Sequence, residues 1–242
     1  MSKVNFITLK WGNKYGPHYV NRLYHSLLKT FTGNFDFYCY TDNNDLLDKN
    51  IIVKDIKELR PEASNCFTIE KIYLFNKHVG NNVLLDLDIL VLKDLNEYFQ
   101  QYNFNQPRFI LNHWYASKDE FDPEWSGKEL CELYARMGSC YINSSFVTWK
   151  DDQLNFIVDF YNKHKKVIEF KLDDLDTFLF HGLRDQLDYH PKNIVYSYTR
   201  DIRYDVLKNF HIILFNTSHG TGRGKELDQT TDWANLYWKS FD

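Results

Sequence analysis

The sequence predicts an α/β fold, in which helices cover both faces of a central sheet. Short apolar segments typical of buried strands alternate with segments of helical periodicity, and that alternation is characteristic of sheets enclosed by helices. The composition is that of a globular protein, with 43% hydrophobic and 26% charged residues among 242. We expect one domain over residues 1–242, because the length suits a single α/β unit and no low-complexity linker interrupts it.

The N-terminal part predicts a strand, a helix and two further strands. Residues 4–9 form a short apolar, β-branched run. Pro17 suits the first turn of a helix, where its missing N–H costs nothing. Residues 35–41 alternate as a second strand, and residues 51–53 offer a third. The helix that begins at Pro17 has apolar residues at four-residue spacing: Tyr19, Leu23, Leu27 and Phe31.

The middle of the chain predicts a helix followed by the most apolar segment of the sequence. Apolar residues recur at helical spacing in residues 67–78, and Gly80 is placed to end that helix. Residues 82–92, NVLLDLDILVL, have the character of a buried strand that two aspartates interrupt. Further strands are predicted at residues 108–111 and 140–149.

The C-terminal part predicts two helices, a strand and a third helix. Residues 154–166 have helical periodicity. The acidic segment KLDDLDTFLFHGL opens the next helix, with Asp173 or Asp174 as its N-cap. The segment FHIILF is strand-like. The last helix is predicted from the spacing of three aromatic residues: Trp233, Tyr237 and Trp238.

Charge, cysteines and hydropathy exclude several classes of protein. A formal net charge of -4 argues against a nucleic-acid partner, because binding to a phosphate backbone needs clustered lysine and arginine. The sequence shows neither a secretion signal nor an apolar run of the roughly 20 residues that a membrane span requires. The cysteines include no C-x-x-C pair, so free thiols are expected: Cys39, Cys66, Cys131 and Cys140. These features indicate a reducing, cytoplasmic setting.

Asp86 and Asp88 interrupt the apolar segment as a D-x-D triplet. If both lie in a strand, they point to the same face and Leu87 points to the opposite layer. Two like charges beside an apolar strand are costly unless a cation compensates them. Ligands collect at strand ends in open α/β sheets, and hard oxygen ligands suit Mn²⁺ or Mg²⁺. The triplet therefore predicts a metal site, with a structural role as the alternative.

A second triplet, Asp174-Leu175-Asp176, lies in a different context. It occurs at the acidic start of a predicted helix, where carboxylates serve as caps. A D-x-D pattern alone therefore identifies no metal site, and for this triplet capping is as good an interpretation as a role in the site.

The segment FNTSHGTGRGKELD places His219, Gly222 and Lys225 three residues apart. Glycine lets the backbone approach a ligand closely, lysine offers charge to a diphosphate, and histidine can complete a metal site. The alternative is a solvated surface loop. Taken with the aspartates upstream, the pattern indicates a loop that binds a complex of diphosphate and metal.

These motifs resemble those of family 8 glycosyltransferases and neighbouring GT-A groups, the relatives of glycogenin and of bacterial galactosyltransferases. The opening FITLKWGNKYGPHYVNRLYHSLLK is similar to the family's first strand, donor loop and helix, and is most like a group of bacterial and viral GT-A proteins. DLDILVLKDL resembles the family's metal-binding strand, and His219, Gly222 and Lys225 match its pattern H-x-x-G-x-x-K. The resemblance extends over most of the chain.

The resemblance implies a Rossmann-like GT-A domain with a mixed, mostly parallel central sheet flanked by helices. Residues 1–100 correspond to the nucleotide-binding half and residues 101–242 to the acceptor half. The implied donor is a UDP-sugar or another nucleotide sugar, bound with Mn²⁺ or Mg²⁺, and the implied acceptor is a glycan or another hydroxyl compound. The implied metal ligands are Asp86, Asp88 and His219. The implied donor-binding residues are Thr8, Lys10, Tyr15, Lys71, Asp86, Leu87, Gly222 and Lys225.

Two further segments resemble the acceptor side of the family. INSSFVTWK is similar to a strand and loop in which Asn143 and Ser144 face the donor sugar and the acceptor. DDLDTFL resembles the family's D-Q-D segment, which makes Asp174 a candidate catalytic residue. Leu175 stands in place of the family's glutamine, so the segment predicts neither retention nor inversion at the anomeric carbon. Residues 112–115 are a candidate acceptor wall, although Trp114 is equally suited to the core.

Two other functions fit parts of the sequence. A haloacid-dehalogenase-like phosphatase also carries Asp-x-Asp at the end of an apolar strand. Its motif normally continues to Thr or Val where this chain has Leu90, and it lies nearer the N-terminus. A non-catalytic module that binds a nucleotide sugar or a glycan needs the same aromatic residues without a reaction. The sequence favours a glycosyltransferase over both.

Overall fold

The computed structural model describes residues 2–59, 68–112, 128, 132, 141–172, 174–198, 210–215, 227–229 and 233–242. In these ranges a seven-stranded and a three-stranded sheet are packed against helices. No helix in the same ranges is both long and apolar enough to cross a membrane. The strands are β1 Val4–Lys10, β2 Phe35–Thr41, β3 Ile52–Asp55, β4 Asn81–Leu85, β5 Ile89–Val91, β6 Arg108–Leu111, β7 Ile142–Lys150, β8 Asp188–Tyr189, β9 Val195–Ser197 and β10 Ile212–Leu214.

The larger sheet is mixed and mostly parallel, in the order β3-β2-β1-β4-β7-β6-β8. Parallel pairing joins β3 to β2, β2 to β1 and β1 to β4. Strand β7 is antiparallel to both β4 and β6, and β8 is parallel to β6. This sheet and its flanking helices confirm the predicted fold class.

The smaller sheet consists of β5, β10 and β9. Strand β10 pairs antiparallel with β5 and parallel with β9. Because β4 belongs to the larger sheet and β5 to the smaller one, the chain changes sheet within residues 86–88. This change of sheet places the D-x-D triplet between the two sheets.

Local sequence signals set the ends of the helices. Pro17 occupies the first turn of the first helix, and Phe31 follows its last residue. Asp94 and Asp174 each cap a helix by accepting a backbone N–H bond. The helices are α1 Pro17–Thr30, α2 Leu95–Gln101, α3 Asn155–Lys171, α4 Leu175–Leu183 and α5 Trp233–Lys239, and the 3-10 helices are Ile56–Glu58, Ile69–Asn76, Arg184–Gln186 and Leu227–Gln229.

Alternation along β1 divides the core into two layers. Phe6 belongs to the layer that contains α1 and α5, whereas Ile7 belongs to the layer that contains α3 and α4. Successive strand residues point to opposite faces, so β1 is buried on both sides. The central sheet is therefore enclosed from both faces, as the continuous apolar strands predict.

The segment at residues 82–92 is not one strand, and this part of the prediction is wrong. Strand β4 ends at Leu85, residues 87 and 88 form a turn, and β5 begins at Ile89. The strand breaks here because β5 pairs with β10, which is distant in the sequence. No local sequence pattern predicts this break. Asp86 and Asp88 thus do not share a face through strand alternation.

The helix predicted at residues 67–78 is a 3-10 helix, Ile69–Asn76. Ile69, Ile72 and Phe75 are fully buried. Their spacing of three matches the three residues per turn of a 3-10 helix, which keeps all three on one face. The remaining predicted elements agree with the structure apart from their ends, and the start of the strand predicted at residues 140–149 lies outside the described residues.

Candidate active site

A cleft of about 260 Å³ opens at the carboxyl ends of β1 and β4. These strands are parallel neighbours, so the loops that follow them meet at one edge of the sheet. Ligands bind at this edge in open α/β sheets. The lining residues are Leu9, Trp11, Lys14, Tyr15, Thr68, Lys71, Asp86, Leu87 and Asp88.

The turn at residues 86–88 is held by backbone hydrogen bonds to both sheets. The N–H of Asp86 donates to the carbonyl of Ser145 at 2.9 Å, and the N–H of Phe215 donates to the carbonyl of Asp88 at 2.8 Å. Leu87 is buried among the core residues. These bonds fix the turn, and all three of its residues line the cleft.

Lys71 contacts the first aspartate of the triplet. Its Nζ lies 2.6 Å from Oδ1 and 2.7 Å from Oδ2 of Asp86. Burial opposes the charge on Lys71, but the attraction of Asp86, Asp176 and Asp88 outweighs it and raises the pKa of the lysine. Lys71 is therefore a charged group inside the site, supplied by the 3-10 helix Ile69–Asn76.

Asp176 extends the charged cluster towards β7. The N–H of Ser144 donates to Asp176 Oδ1 at 2.8 Å, and Asn143 Nδ2 lies 3.4 Å from Asp176 Oδ2. Burial raises the pKa of Asp176 to about 6, although Lys71 and the bond from Ser144 act in the opposite direction. The predicted residues Asn143 and Ser144 are thus linked to Lys71 through Asp176 of the second triplet, for which the sequence left capping and a role in the site open.

Asp174 lies at the start of α4 and caps that helix. The N–H of Thr177 donates to Asp174 Oδ1 at 2.8 Å, and the Thr177 hydroxyl donates to Oδ2 at 2.9 Å. The capping interpretation of the second triplet is therefore confirmed for Asp174. Its catalytic role stays a prediction. Asp176, two residues later, is the member of the triplet whose charge helps to raise the pKa of Lys71.

The predicted donor-binding residues of β1 and its loop divide into two groups. Tyr15 lines the cleft, and its ring lies 4.7 Å from that of Tyr19 and 4.6 Å from Lys14 Nζ. Thr8 and Lys10 are buried in β1 and are not among the residues that line the cleft. In the described structure the Thr8 hydroxyl has no hydrogen-bond partner. Their role in donor binding remains a prediction.

Several lining residues were not predicted as site residues. Trp11, Lys14 and Thr68 belong to this group. Trp11 and Lys14 directly follow β1, so their place after the first parallel strand was a usable signal. Thr68 comes immediately before the 3-10 helix, and no sequence pattern marked it.

Other predicted residues lie outside the described ranges: His219, Gly222, Lys225, Trp114, Cys66, Cys131 and Cys140. Among the residues that the structure describes, no group of three or more metal-binding side chains is present. Cys39 is a buried free thiol, as expected, and burial raises its pKa to about 12.

The charges in and beside the cleft suit a divalent cation. Asp86, Asp88 and Asp176 carry three negative charges when ionised, and Lys71 and Lys14 supply two positive charges, which leaves a formal charge of -1 on these five groups. Carboxylate oxygens are hard ligands of the kind that Mg²⁺ and Mn²⁺ prefer. The residues present therefore fit a divalent metal ion bound by Asp86 and Asp88.

Comparisons with known proteins show the fold. No protein-family model and no curated protein sequence matches the chain. The galactosyltransferase LgtC, solved in complex with donor and acceptor sugar analogues, is 12% identical with a TM-score of 0.59, over 98% of this chain and 95% of that one. The apo glycosyltransferase GlyE of Streptococcus pneumoniae TIGR4 is 10% identical with a TM-score of 0.62, over 99% of this chain and 60% of that one.

A third similar structure is a glycosyltransferase involved in the glycosylation of the major capsid of PBCV-1. It is 8% identical with a TM-score of 0.56, and the match covers 99% of both chains. At such low identity the agreement is one of architecture, and it extends over nearly the whole of this chain. The chain therefore has the GT-A fold, the fold of these glycosyltransferases.

Proposed function

We propose that the chain is a metal-dependent glycosyltransferase, which moves a hexosyl unit from a UDP-sugar or another nucleotide sugar to a hydroxyl group of a glycan-type acceptor. The observation that carries the proposal is the turn at residues 86–88. It presents two carboxylates to a cleft at the carboxyl ends of parallel strands, in a chain with the GT-A fold. The similar structures named above are glycosyltransferases, which supports this function over the phosphatase.

In the proposed mechanism Asp86 and Asp88 would hold Mn²⁺ or Mg²⁺, with His219 as the predicted third ligand. The ion would supply positive charge to offset the charge that develops on a leaving diphosphate. Lys71 and Lys14 add positive charge to the same cleft, and Lys225 is proposed to act with them. These groups lower the barrier to cleavage of the bond between the anomeric carbon and the diphosphate oxygen.

The aromatic side of the cleft is proposed to bind the nucleobase. Trp11 and Tyr15 lie in the loop after β1, and both line the cleft. Aromatic rings stack on bases and contribute about 1–3 kcal/mol per base. Lys14 lies close to Tyr15, where its charge can also reach a phosphate. On this proposal the base would lie at β1 and the diphosphate at the turn after β4.

Asn143, Ser144, Asp174 and Asp176 are proposed to form the side of the site that faces the donor sugar and the acceptor. Asp176 connects this group to Lys71. Ser144 and Asn143 contact its carboxylate, and its negative charge attracts the ammonium of Lys71. A negative carboxylate here can orient hydroxyl groups of a sugar and stabilise positive charge at the anomeric carbon. On this proposal the group would face the transferred sugar.

Thermal unfolding with and without nucleotide tests the donor site. A ligand that binds only the native protein raises the unfolding midpoint. We expect UDP to raise the midpoint only when Mn²⁺ is present, and Asp88→Asn to remove that shift. Asp45→Asn, a change at an exposed aspartate in the loop after β2, is the matched control and should keep the shift.

A hydrolysis assay then separates a transferase from a binding module. Glycosyltransferases release free sugar slowly when water replaces the acceptor, so a nucleotide-sugar donor incubated with Mn²⁺ should yield free sugar and UDP. The Asp88→Asn protein should yield none. Binding of UDP and Mn²⁺ without any release of sugar would support the binding module instead. No shift with any nucleotide would refute the transferase and leave a module that binds a glycan.

A further inference from the structure

The outer face of α3 combines exposed apolar and basic side chains. Val167 and Phe170 are 65% and 79% exposed, and they lie one turn of the helix apart. Lys163, Lys166 and Lys171 are exposed on the same helix. At 100° per residue all five project to the side away from the core, because the buried residues of α3 occupy the opposite face. We call these five residues the α3 surface.

The charge of this region is opposite to that of the chain as a whole. The helix Asn155–Lys171 contains four lysines, Asp159 and one glutamate, a formal charge of +2, whereas the whole chain carries -4. The glutamate, Glu169, accepts a hydrogen bond from Tyr161 at 2.8 Å and lies 3.9 Å from Lys165 Nζ. Glu169 is thus engaged with its own helix. The three lysines of the α3 surface keep their charge towards solvent.

The apolar and basic groups are arranged as an interface would require. The ammonium of Lys171 lies 4.9 Å from the centre of the Phe170 ring, so the charge borders the ring. A helix that lies on a membrane inserts an apolar aromatic side chain below the headgroups and keeps lysines at the level of the phosphates. Residues 163–171 span about 12 Å along the helix.

The helix that carries the α3 surface contacts the 3-10 helix that lines the cleft. Tyr73 belongs to the same 3-10 helix as Lys71, and its hydroxyl donates to Asn162 Oδ1 at 3.2 Å. The rings of Tyr73 and Tyr161 meet edge to face, with centres 6.0 Å apart. The helix that carries the surface therefore packs directly on the element that supplies Lys71.

We propose that the α3 surface docks the protein on an anionic phospholipid membrane, with Phe170 and Val167 at the acyl boundary and the lysines on lipid phosphates. An isolated basic face on an acidic protein selects an anionic partner. The exposed Phe170 and Val167 favour a partner that has an apolar layer beneath its charged surface. This inference does not depend on the proposed enzymatic function.

Co-sedimentation of the full chain with lipid vesicles tests the proposal. We expect binding to vesicles that contain phosphatidylglycerol, little binding to phosphatidylcholine alone, and release at high salt because salt screens the attraction. Lys163→Glu with Lys166→Glu should lower the partition coefficient by at least about five-fold for each lysine. The matched control, Lys57→Glu with Lys77→Glu, makes the same change in net charge elsewhere and should bind like the wild type.

The apolar contribution has its own variant. Phe170→Ser should lower binding to the anionic vesicles, whereas Leu236→Ser, at a residue that is 70% exposed on α5, should not. The proposal would be overturned if both charge-reversed double variants lost vesicle binding equally. Normal vesicle binding by Phe170→Ser would overturn it as well. If the protein self-associates in the absence of vesicles and Phe170→Ser abolishes that self-association, the α3 surface binds a second copy of the chain. That outcome would also overturn the membrane proposal. Since all these side chains are exposed, unchanged circular dichroism is expected throughout.

Discussion

The ammonium of Lys71 lies within 2.7 Å of both carboxylate oxygens of Asp86. It therefore occupies, in the free protein, the oxygens that a divalent cation is proposed to use. Two cations compete for one carboxylate, so binding of a metal ion requires Lys71 to share Asp86 or to move towards another anion. The diphosphate of the proposed donor is an anion of this kind, so the proposal predicts that metal binding and donor binding are coupled.

Lys71→Met should therefore increase the affinity of the free protein for Mn²⁺. Removing a positive charge so close to the site favours a second cation, and we expect roughly a tenfold lower dissociation constant. Electron paramagnetic resonance of free Mn²⁺ during a titration measures this. The same variant should bind UDP more weakly in the presence of Mn²⁺, because a charge that faces the diphosphate is lost.

Lys14→Met is the control for that experiment. Lys14 lines the same cleft but lies beside the ring of Tyr15. Because Lys71 is the cation that contacts Asp86, Lys14→Met should lower the dissociation constant of Mn²⁺ in the absence of nucleotide less than Lys71→Met does. An unchanged or weaker affinity for Mn²⁺ in Lys71→Met would show that Lys71 does not compete with the cation.

A second prediction separates the two roles of Asp174. Its carboxylate caps α4, and replacing a capping aspartate with alanine typically costs about 1 kcal/mol of stability. Serine at an N-cap retains most of this stabilisation. We expect Asp174→Ala to lower the free energy of unfolding by about 1 kcal/mol and Asp174→Ser to lower it far less.

The proposed catalytic role of Asp174 predicts a different pattern for turnover. Both variants should lose sugar transfer, because neither keeps the carboxylate. Denaturant unfolding and the release of sugar from the donor measure the two properties on the same samples. Full transfer by Asp174→Ser would limit Asp174 to its capping role.

Elements with local signals were predictable from the sequence. Strand β2 and helix α1 follow from alternation and from four-residue spacing after Pro17, and both match the structure closely. Strand β5 and its partner β10 lie about 120 residues apart along the chain. No local pattern encodes such a pairing, and so the smaller sheet and the turn at residues 86–88 were not foreseen.

The candidate site was predictable to a similar extent. The residues of the first triplet, with Tyr15 and Lys71, line one cleft because parallel strands bring their carboxyl ends together. For Asp176 the sequence left capping and a role in the site open, since a carboxylate at a helix start has an ordinary explanation as a cap. Its contact with Ser144 of β7 is a tertiary one and is visible only in the structure.

A third prediction concerns acid sensitivity and His190. Its Nδ1 lies 2.6 Å from the Tyr98 hydroxyl and its Nε2 3.2 Å from the carbonyl of Phe146. Burial, followed by the charge of Arg108, lowers the pKa of His190 to about 3. The folded protein thus holds a neutral imidazole that protonates in the unfolded chain near the ordinary histidine pKa of 6.5.

The sign of the effect follows from this difference. Above pH 6.5 the contribution of His190 is fully present, and it is lost as the pH falls from 6.5 to about 3, because the unfolded chain binds the proton first. The free energy of unfolding should fall by about 1.4 kcal/mol per pH unit within this window through this group. Denaturant unfolding at a series of pH values should show that the free energy of unfolding depends less steeply on pH in His190→Gln than in the wild type. The exposed His164→Gln serves as control, and a slope equal to that of the wild type in His190→Gln would contradict the prediction.

The last prediction concerns Asp176, the carboxylate between Lys71 and β7. Burial raises its pKa from 3.8 to about 6, so the folded protein disfavours the ionised form. The resulting loss of stability develops as the pH rises from about 4 to about 6 and is complete at neutral pH. Asp176→Asn removes the charge and keeps an oxygen that can accept the N–H of Ser144. At pH 7 the variant should therefore unfold at the same temperature as the wild type or higher.

Turnover should change in the opposite direction. If Asp176 stabilises positive charge at the transferred sugar, Asp176→Asn should lower kcat by about a hundredfold or more while UDP and Mn²⁺ still raise the unfolding midpoint. A functional group that costs stability is expected where a site requires an unfavourable charge. Thermal unfolding at pH 4 and pH 7, with kcat measured at pH 7, tests both parts. A variant that is less stable at pH 7 and fully active would show that Asp176 serves the fold and not the reaction.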